Sequence, residues 1–431
     1  MAKRLNFASA DFLDAFERLL GGKREADSDV HDAVAGIIAD IRGRGDDALL
    51  AFTAKYDGLA VGSVAELALS ADMLQAALDA LHDDLRQSLE LAAARIQAFH
   101  EKQRPNGFAY TDEAGVELAM RHTAVDAVGL YVPGGKAAYP SSVLMNAMPA
   151  MVAGVKRRVM VVPARDGDVN ELVLAAAALA GVTEVWRIGG AQAVAALAYG
   201  TQTIAPVDKI VGPGNAFVAA AKRQVFGQVG IDSIAGPSEI LVVADAHNDP
   251  AWIAADLLSQ AEHDEAAQSI LITDDAAFAD AVDKAVSAML PTLDRAAVAG
   301  QSWQDNGAII TVPHMDEMPA IADRIAAEHL ELALDNADEW AEKITHAGAI
   351  FLGRYTPEAI GDYVAGPNHV LPTARTARFS SGLGVADFMK RTTMVSCDAS
   401  SFAKIAPAGV ALADAEGLGA HALSMRMRMN H

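Results

Sequence analysis

The chain has 431 residues, 52% apolar and 21% charged, with a formal net charge of -22. That length and composition describe a globular protein with room for two or more domains, and exclude a disordered one. The acidity excludes nucleic acid and anionic membrane as partners, because both demand a basic footprint.

Lys3 and Arg4 stand at the N-terminus with no apolar segment behind them, so no signal peptide is expected. Up to about residue 105 the apolar spacing is helical: Phe12 to Leu20, His31 to Tyr56 and Ala71 to Gln103, with a short Leu67–Leu69 stretch between the last two. The texture then changes. Short apolar runs at 127–132, 158–162, 184–188 and 209–211 alternate with Ala-rich helices at 141–154, 171–181, 191–199 and 215–226. The most apolar run, 143–155, is broken by Asn146 and Pro149 and is too short to span a membrane. The rhythm resumes with 239–243, 252–263, 269–273, 277–290, 308–312, 318–332 and a strand at 349–352. Residues 374–384 read as loop and 401–425 as helical again. Strands alternating with helices imply βαβ units and parallel sheets. The expected fold is α/β: two doubly wound, Rossmann-like lobes with small helical N- and C-terminal segments. The expected division is 1–26 as an N-terminal helical segment, 27–130 plus 238–383 as one lobe, 131–237 as the second, and 384–431 as a C-terminal segment.

Glu328 and His329 follow what reads as an amphipathic helix from Met318 to Ala327. At about 100° per residue, Glu328 projects near Ile321 and His329 roughly 40° beyond Ile325. A carboxyl and an imidazole on or beside an apolar face suit general acid/base work, since burial raises the one and the other titrates near neutrality. A helix end with both groups facing solvent accounts for the pair equally well.

Three glycine-rich turns end strands: Val132 to Gly135, Gly189–Gly190 and Gly212-Pro213-Gly214-Asn215. In doubly wound sheets, ligands bind at the C-terminal ends of strands, where helix N-termini face phosphates. Any one of these is an ordinary tight βα turn. The run 212–217 is only a partial dinucleotide fingerprint: Phe217 replaces its third glycine, and no clear ribose-binding acid follows downstream. Gln260 and His263, at i and i+3 on a helix, face one way and can share a divalent cation, although a hydrogen-bonded polar face is the commoner outcome. Asp362 and His369 bracket a loop rich in turn residues. Glu416 and His421 lie in a segment loosened by two glycines. Cys397 is the one cysteine. It excludes an intrachain disulfide and agrees with a cytoplasmic protein, and its apolar neighbours predict a buried, inert thiol.

Together these segments resemble the histidinol dehydrogenase family. The matching runs are 131–135, 189–193, 212–217, 236–239, 257–263, 328–331, 361–363, 366–373 and 416–421, in the family's order. The resemblance implies an NAD-dependent homodimer with shared active sites and one zinc per subunit. It would oxidise L-histidinol through the aldehyde to L-histidine, the last step of histidine biosynthesis. It also implies zinc on Gln260, His263, Asp362 and His421, and acid/base roles for Glu328 and His329. Substrate would meet Ser238, Gln260, His263, His329, Asp362, Glu416 and His421. Tyr131, Gln192 and Asn215 would contact NAD, and Glu416 and His421 would act across the dimer. His329 is expected to take the hydroxyl proton and Glu328 to activate the water of the aldehyde step. Ala327 stands where many members carry Pro. A paralogue acting on another small polar alcohol, such as a sulfonated diol, is the alternative; Glu416 speaks against it, since a carboxylate repels a sulfonate.

Overall fold

The computed structural model describes residues 2–21, 28–134, 139–234 and 236–429. Two six-stranded sheets carry the fold. The first is wholly parallel and runs Lys3–Asn6, Ala308–Thr311, Gln268–Thr273, Glu239–Ala244, His329–Ala333, Ala349–Leu352. Its central strands are continuous apolar runs such as Ile240 to Ala244, buried because helices cover both faces. Its edges alternate: Lys3–Asn6 exposes all but Leu5, and Ala349–Leu352 exposes Ile350 and Leu352.

The second sheet runs Ala68–Leu69, Glu184–Trp186, Arg157–Val161, Ala127–Tyr131, Lys209–Val211, Gly230–Ile231, parallel except for Ala68–Leu69. The chain winds outward one way from Ala127–Tyr131, then returns to its other side at Lys209–Val211. That reversal is the topological switch point of a doubly wound sheet.

The packing divides the chain differently from the expected grouping. The helices of 28–102 lie on the second sheet, where Val34, Ile37, Ile41 and Leu49 join the core of Ile188, Val194 and Ile210, and Leu89 and Ile96 join that of Leu130 and Met160. They do not belong with 238–383. The N-terminal segment is not purely helical either, since Lys3–Asn6 adds a strand to the first sheet and Phe12, Phe16 and Leu19 pack on it. A helix's apolar stripe shows that it packs, but not on which sheet. The expected helix 31–56 is two, Ser28–Arg44 and Asp46–Tyr56, separated at Gly45 with φ +55°.

A third, antiparallel sheet of Met389–Ser396, Glu117–Ala124 and Phe108–Thr111 was not foreseen in the sequence. Its strands are largely exposed and polar, so they lack an apolar signature. It carries the C-terminal helices Ala399–Ala415 and Gly419–Met429, which pack on each other.

Candidate active site

Glu328 and His329 are not on a helix. The helix Met318–Ile325 stops at Ala326, which takes a left-handed φ of +49°, and the chain then enters the parallel strand His329–Ala333. A non-glycine residue in that region costs about 1 kcal/mol. The turn brings both side chains beside Glu239, at the start of the neighbouring strand. Glu328 Oε2 accepts from the Glu239 amide at 3.0 Å, and His329 Nδ1 lies 3.0 Å from the Glu239 carbonyl oxygen. The carbonyl can only accept, so Nδ1 carries the proton. Nε2 is therefore the bare nitrogen, and it is buried without a hydrogen-bond partner among the described residues. Burial lowers the His329 pKa to about 4, against a nearby Asp362 that raises it, and burial drives Glu328 well above the carboxylate range. His329 is thus a neutral base at pH 7.

Around this pair lies a set of nitrogen and oxygen donors. Gln260 and His263 come from the C-terminal end of the helix Pro250–Ala261, and Asp362 from Glu358–Tyr363. Gln260 is fully buried, with its amide 3.1 Å from His263 Nδ1. Its better-satisfied orientation turns the oxygen to His263 Nδ1 and the nitrogen to the acceptors Glu239 O and Glu358 Oε1. Asp362 Oδ1 lies 4.0 Å from His329 Nε2 and 3.6 Å from His369 Nδ1. Glu358 Oε1 lies 3.6 Å from His329 Nδ1. His329, Glu358 and Asp362 can present ligand atoms within 4.8 Å of one another.

This arrangement fits a divalent cation. Among the described residues no Lys or Arg is paired with Glu328, Glu358 or Asp362, and a helix C-terminus adds negative potential. Buried carboxylates and a bare imidazole nitrogen without a counter-charge are costly unless a cation joins them. The donor set, imidazole with carboxylate and amide oxygen, suits zinc.

Glu358 and Glu331 were missed by the sequence reading. Glu331 lies 2% exposed behind the site, close to Asp256, whose carboxyl burial pushes to about 6. Burial also sends Glu331 and Glu358 well above their usual range. Both had a signal: Glu331 interrupts an apolar strand, and Glu358 stands one turn before Asp362. Ser238 immediately precedes Glu239, and its carbonyl accepts from the Gln268 amide. Glu416 and His421 are not brought to this cluster; both are exposed, Glu416 in the turn between the C-terminal helices and His421 on the last one. Cys397 is exposed rather than buried, because its neighbours Met394 and Val395 lie on an open sheet edge.

The metal-type cluster sits at the N-terminal ends of the first sheet's strands, whereas the three glycine turns sit at the C-terminal ends of the second sheet's. Gly135 lies outside the described residues. At each of the other two turns a side chain takes up amides at the helix start. The Gly190 amide donates to the Tyr131 hydroxyl at 2.9 Å, and Asn215 Oδ1 accepts from Phe217 and Val218. Tyr131 and Gln192 are buried, and burial pushes the Tyr131 phenol up to about 12. Gly212 has φ +113°, and a Cβ there would collide with the Tyr131 carbonyl oxygen. Buried Lys222 donates to Gly212 O at 3.0 Å and pairs with Asp232, which accepts from the Gly212 amide at 2.8 Å. The turn is thus held at both its amide and its carbonyl.

The histidinol dehydrogenase family matches residues 22–429. The histidinol dehydrogenase of Rhodospirillum rubrum is 65% identical over 431 residues, covering 100% of this chain and 99% of that one. That of Ruegeria pomeroyi is 60% identical over 430 residues, covering 100% and 99%. The crystal structure of histidinol dehydrogenase from Elizabethkingia anophelis superposes with a TM-score of 0.94 at 34% identity, covering 100% of this chain and 98% of that one. Near-complete coverage at this identity joins the whole chain, site and both lobes included, to one family: the protein belongs to the histidinol dehydrogenase family.

Proposed function

We propose that this enzyme oxidises L-histidinol to L-histidine through the aldehyde, with NAD as oxidant and one zinc per subunit. The observation that carries the reading is the buried Glu328–His329 pair, hung on Glu239 beside Gln260, His263 and Asp362. Bound zinc would orient the amino alcohol and polarise its oxygen, while NAD would accept the hydride. Gln260, His263 and Asp362 would hold the metal from one subunit. In the alcohol step, His329 Nε2 takes the hydroxyl proton as hydride leaves carbon. The aldehyde must add water before a second hydride can leave, and Glu328, once deprotonated, takes the proton of that water. Its raised pKa makes it a stronger base than an exposed carboxylate. Ser238, which precedes Glu239, would contact the substrate. Tyr131, Gln192 and Asn215 would meet NAD at the second sheet.

The same reading makes the enzyme a cytoplasmic homodimer. No described helix is long and apolar enough to cross a membrane. The C-terminal helices expose Leu412, Leu418, Leu423 and Met427 around Glu416 and His421, an apolar surface suited to a second subunit. His421 would complete the partner's zinc site, and Glu416 would meet the cationic substrate there.

Incubation with L-histidinol, NAD and zinc tests the whole. Two NADH per histidinol, abolished by a chelator, is the expected result. Turnover of another polar alcohol but not of histidinol would overturn the substrate assignment.

A further inference from the structure

A dinucleotide lobe usually places an acidic residue about twenty residues beyond its glycine turn to take the ribose hydroxyls. In the second lobe that place falls to Asp232, but its side chain is buried, paired with Lys222 and bonded to the Gly212 amide, so it is not free for a ribose. Another acid reaches the site from upstream. Asp57 ends the helix Asp46–Tyr56, and its carboxylate comes to the turn that starts the helix Gly190–Tyr199. Its Oδ2 lies 3.4 Å from Gln192 Nε2, it faces the Gly189 amide, and its charge is felt at Tyr131. Two of the three expected cofactor contacts are therefore its neighbours.

Asp57 is half-buried. A carboxylate repels a phosphate and accepts from hydroxyls. At this helix start the Gly189 amide faces Asp57 and the Gly190 amide donates to Tyr131. Arg165 follows the strand Arg157–Val161, where a cation would favour a 2′-phosphate, but Asp57 opposes its charge. Burial raises the Asp57 carboxyl above its usual range, and the Gly189 and Gln192 donors offset this only in part, so further donors suit it.

We propose that Asp57 binds the hydroxyls of the adenosine ribose and sets a preference for NAD over NADP. This rests on the NAD reading above.

Titration calorimetry on the full-length enzyme tests it, using NAD, NADP and the NAD analogue lacking the adenosine 2′-hydroxyl. Wild type, Asp57→Asn and Asp57→Ala are compared, and histidinol turnover is followed alongside. Wild type should bind NAD about tenfold or more tighter than either alternative. The variants should lose about tenfold in NAD affinity and most of the discrimination against NADP, with the KM for histidinol unchanged. Equal weakening of both dinucleotides would mean a merely structural role and would overturn the proposal. So would a wild type that binds NADP as tightly as NAD. If the variants fail to fold, the analogue decides on wild type alone: no loss without the 2′-hydroxyl overturns the assignment. A wild type with the expected binding pattern but no histidinol oxidation supports Asp57 and overturns the substrate reading. Absence of NAD binding overturns both.

Discussion

His329 Nδ1 lies 3.0 Å from the carbonyl oxygen of Glu239, and this contact sets the chemistry of the opposite ring nitrogen. The main chain of one residue fixes the tautomer, aims Nε2 towards Asp362, and through its amide holds Glu328 as well.

Removing the base should stop the first oxidation. His329→Asn is expected to lower kcat with histidinol about 10²–10⁴-fold while leaving the KM within a few-fold. Glu328→Gln should spare the alcohol step and slow the oxidation of added L-histidinal about 10²-fold, which stopped-flow NADH absorbance resolves. Equal slowing of both steps by Glu328→Gln would refute the division of labour.

Metal content should follow the buried donors. Gln260→Ala and His263→Asn are each expected to lower zinc affinity about 10–100-fold or more, read by atomic absorption after dialysis. Chelator-treated wild type should regain activity on zinc addition. Full zinc in the His263→Asn protein would remove His263 from the ligand set. Cys397, exposed at the end of Met389–Ser396, should be replaceable by Ser with most activity kept.

Tyr131 should make stability pH-dependent in alkali. Its folded pKa of about 12 lies above the ordinary phenol value of 10.0, so the fold favours the protonated form. The stabilisation is fully present below pH 10 and is lost as pH rises from 10 towards 12, by up to about 3 kcal/mol. Urea midpoints of wild type should fall in that window more steeply than those of Tyr131→Phe. Parallel curves would contradict the shift.

The proposed sharing of active sites is tested by complementation. His329→Asn and His421→Ala should each be inactive alone. Mixed after subunit exchange, heterodimers would contain one intact site each, restoring about a quarter of wild-type activity. No recovery, despite proven exchange, would place His421 in its own subunit's site.

Lys222 and Asp232 form a buried ion pair on the Gly212 turn. Lys222→Met leaves Asp232 unpaired and should cost about 3–5 kcal/mol by urea unfolding. The NAD KM should rise with it, because the turn before Asn215 loses its clamp.

Much of the fold was legible in the sequence because its core strands and helices declare themselves by apolar period. A run such as Ile240 to Ala244, buried at every position, stands out as a central parallel strand. The exposed sheet of 108–124 and 389–396 gave no such signal and was missed. Of the candidate site, the motifs supplied residues that lie together in space, Gln260, His263, His329 and Asp362. Its geometry was not legible: a helical projection put Glu328 and His329 on the wrong element.

Residue types, the alternation of strands and helices, and the family are all readable along the chain. Which groups face each other is settled in three dimensions. Glu239 meets Glu328 across 89 residues, and Asp57 meets Gln192 across 135. Local spacing carries no information about such pairs. The first exists because parallel strands fix register over long loops, the second because the helix Asp46–Tyr56 packs against Gly190–Tyr199, and buried polar groups are stable only where such packing supplies them a partner.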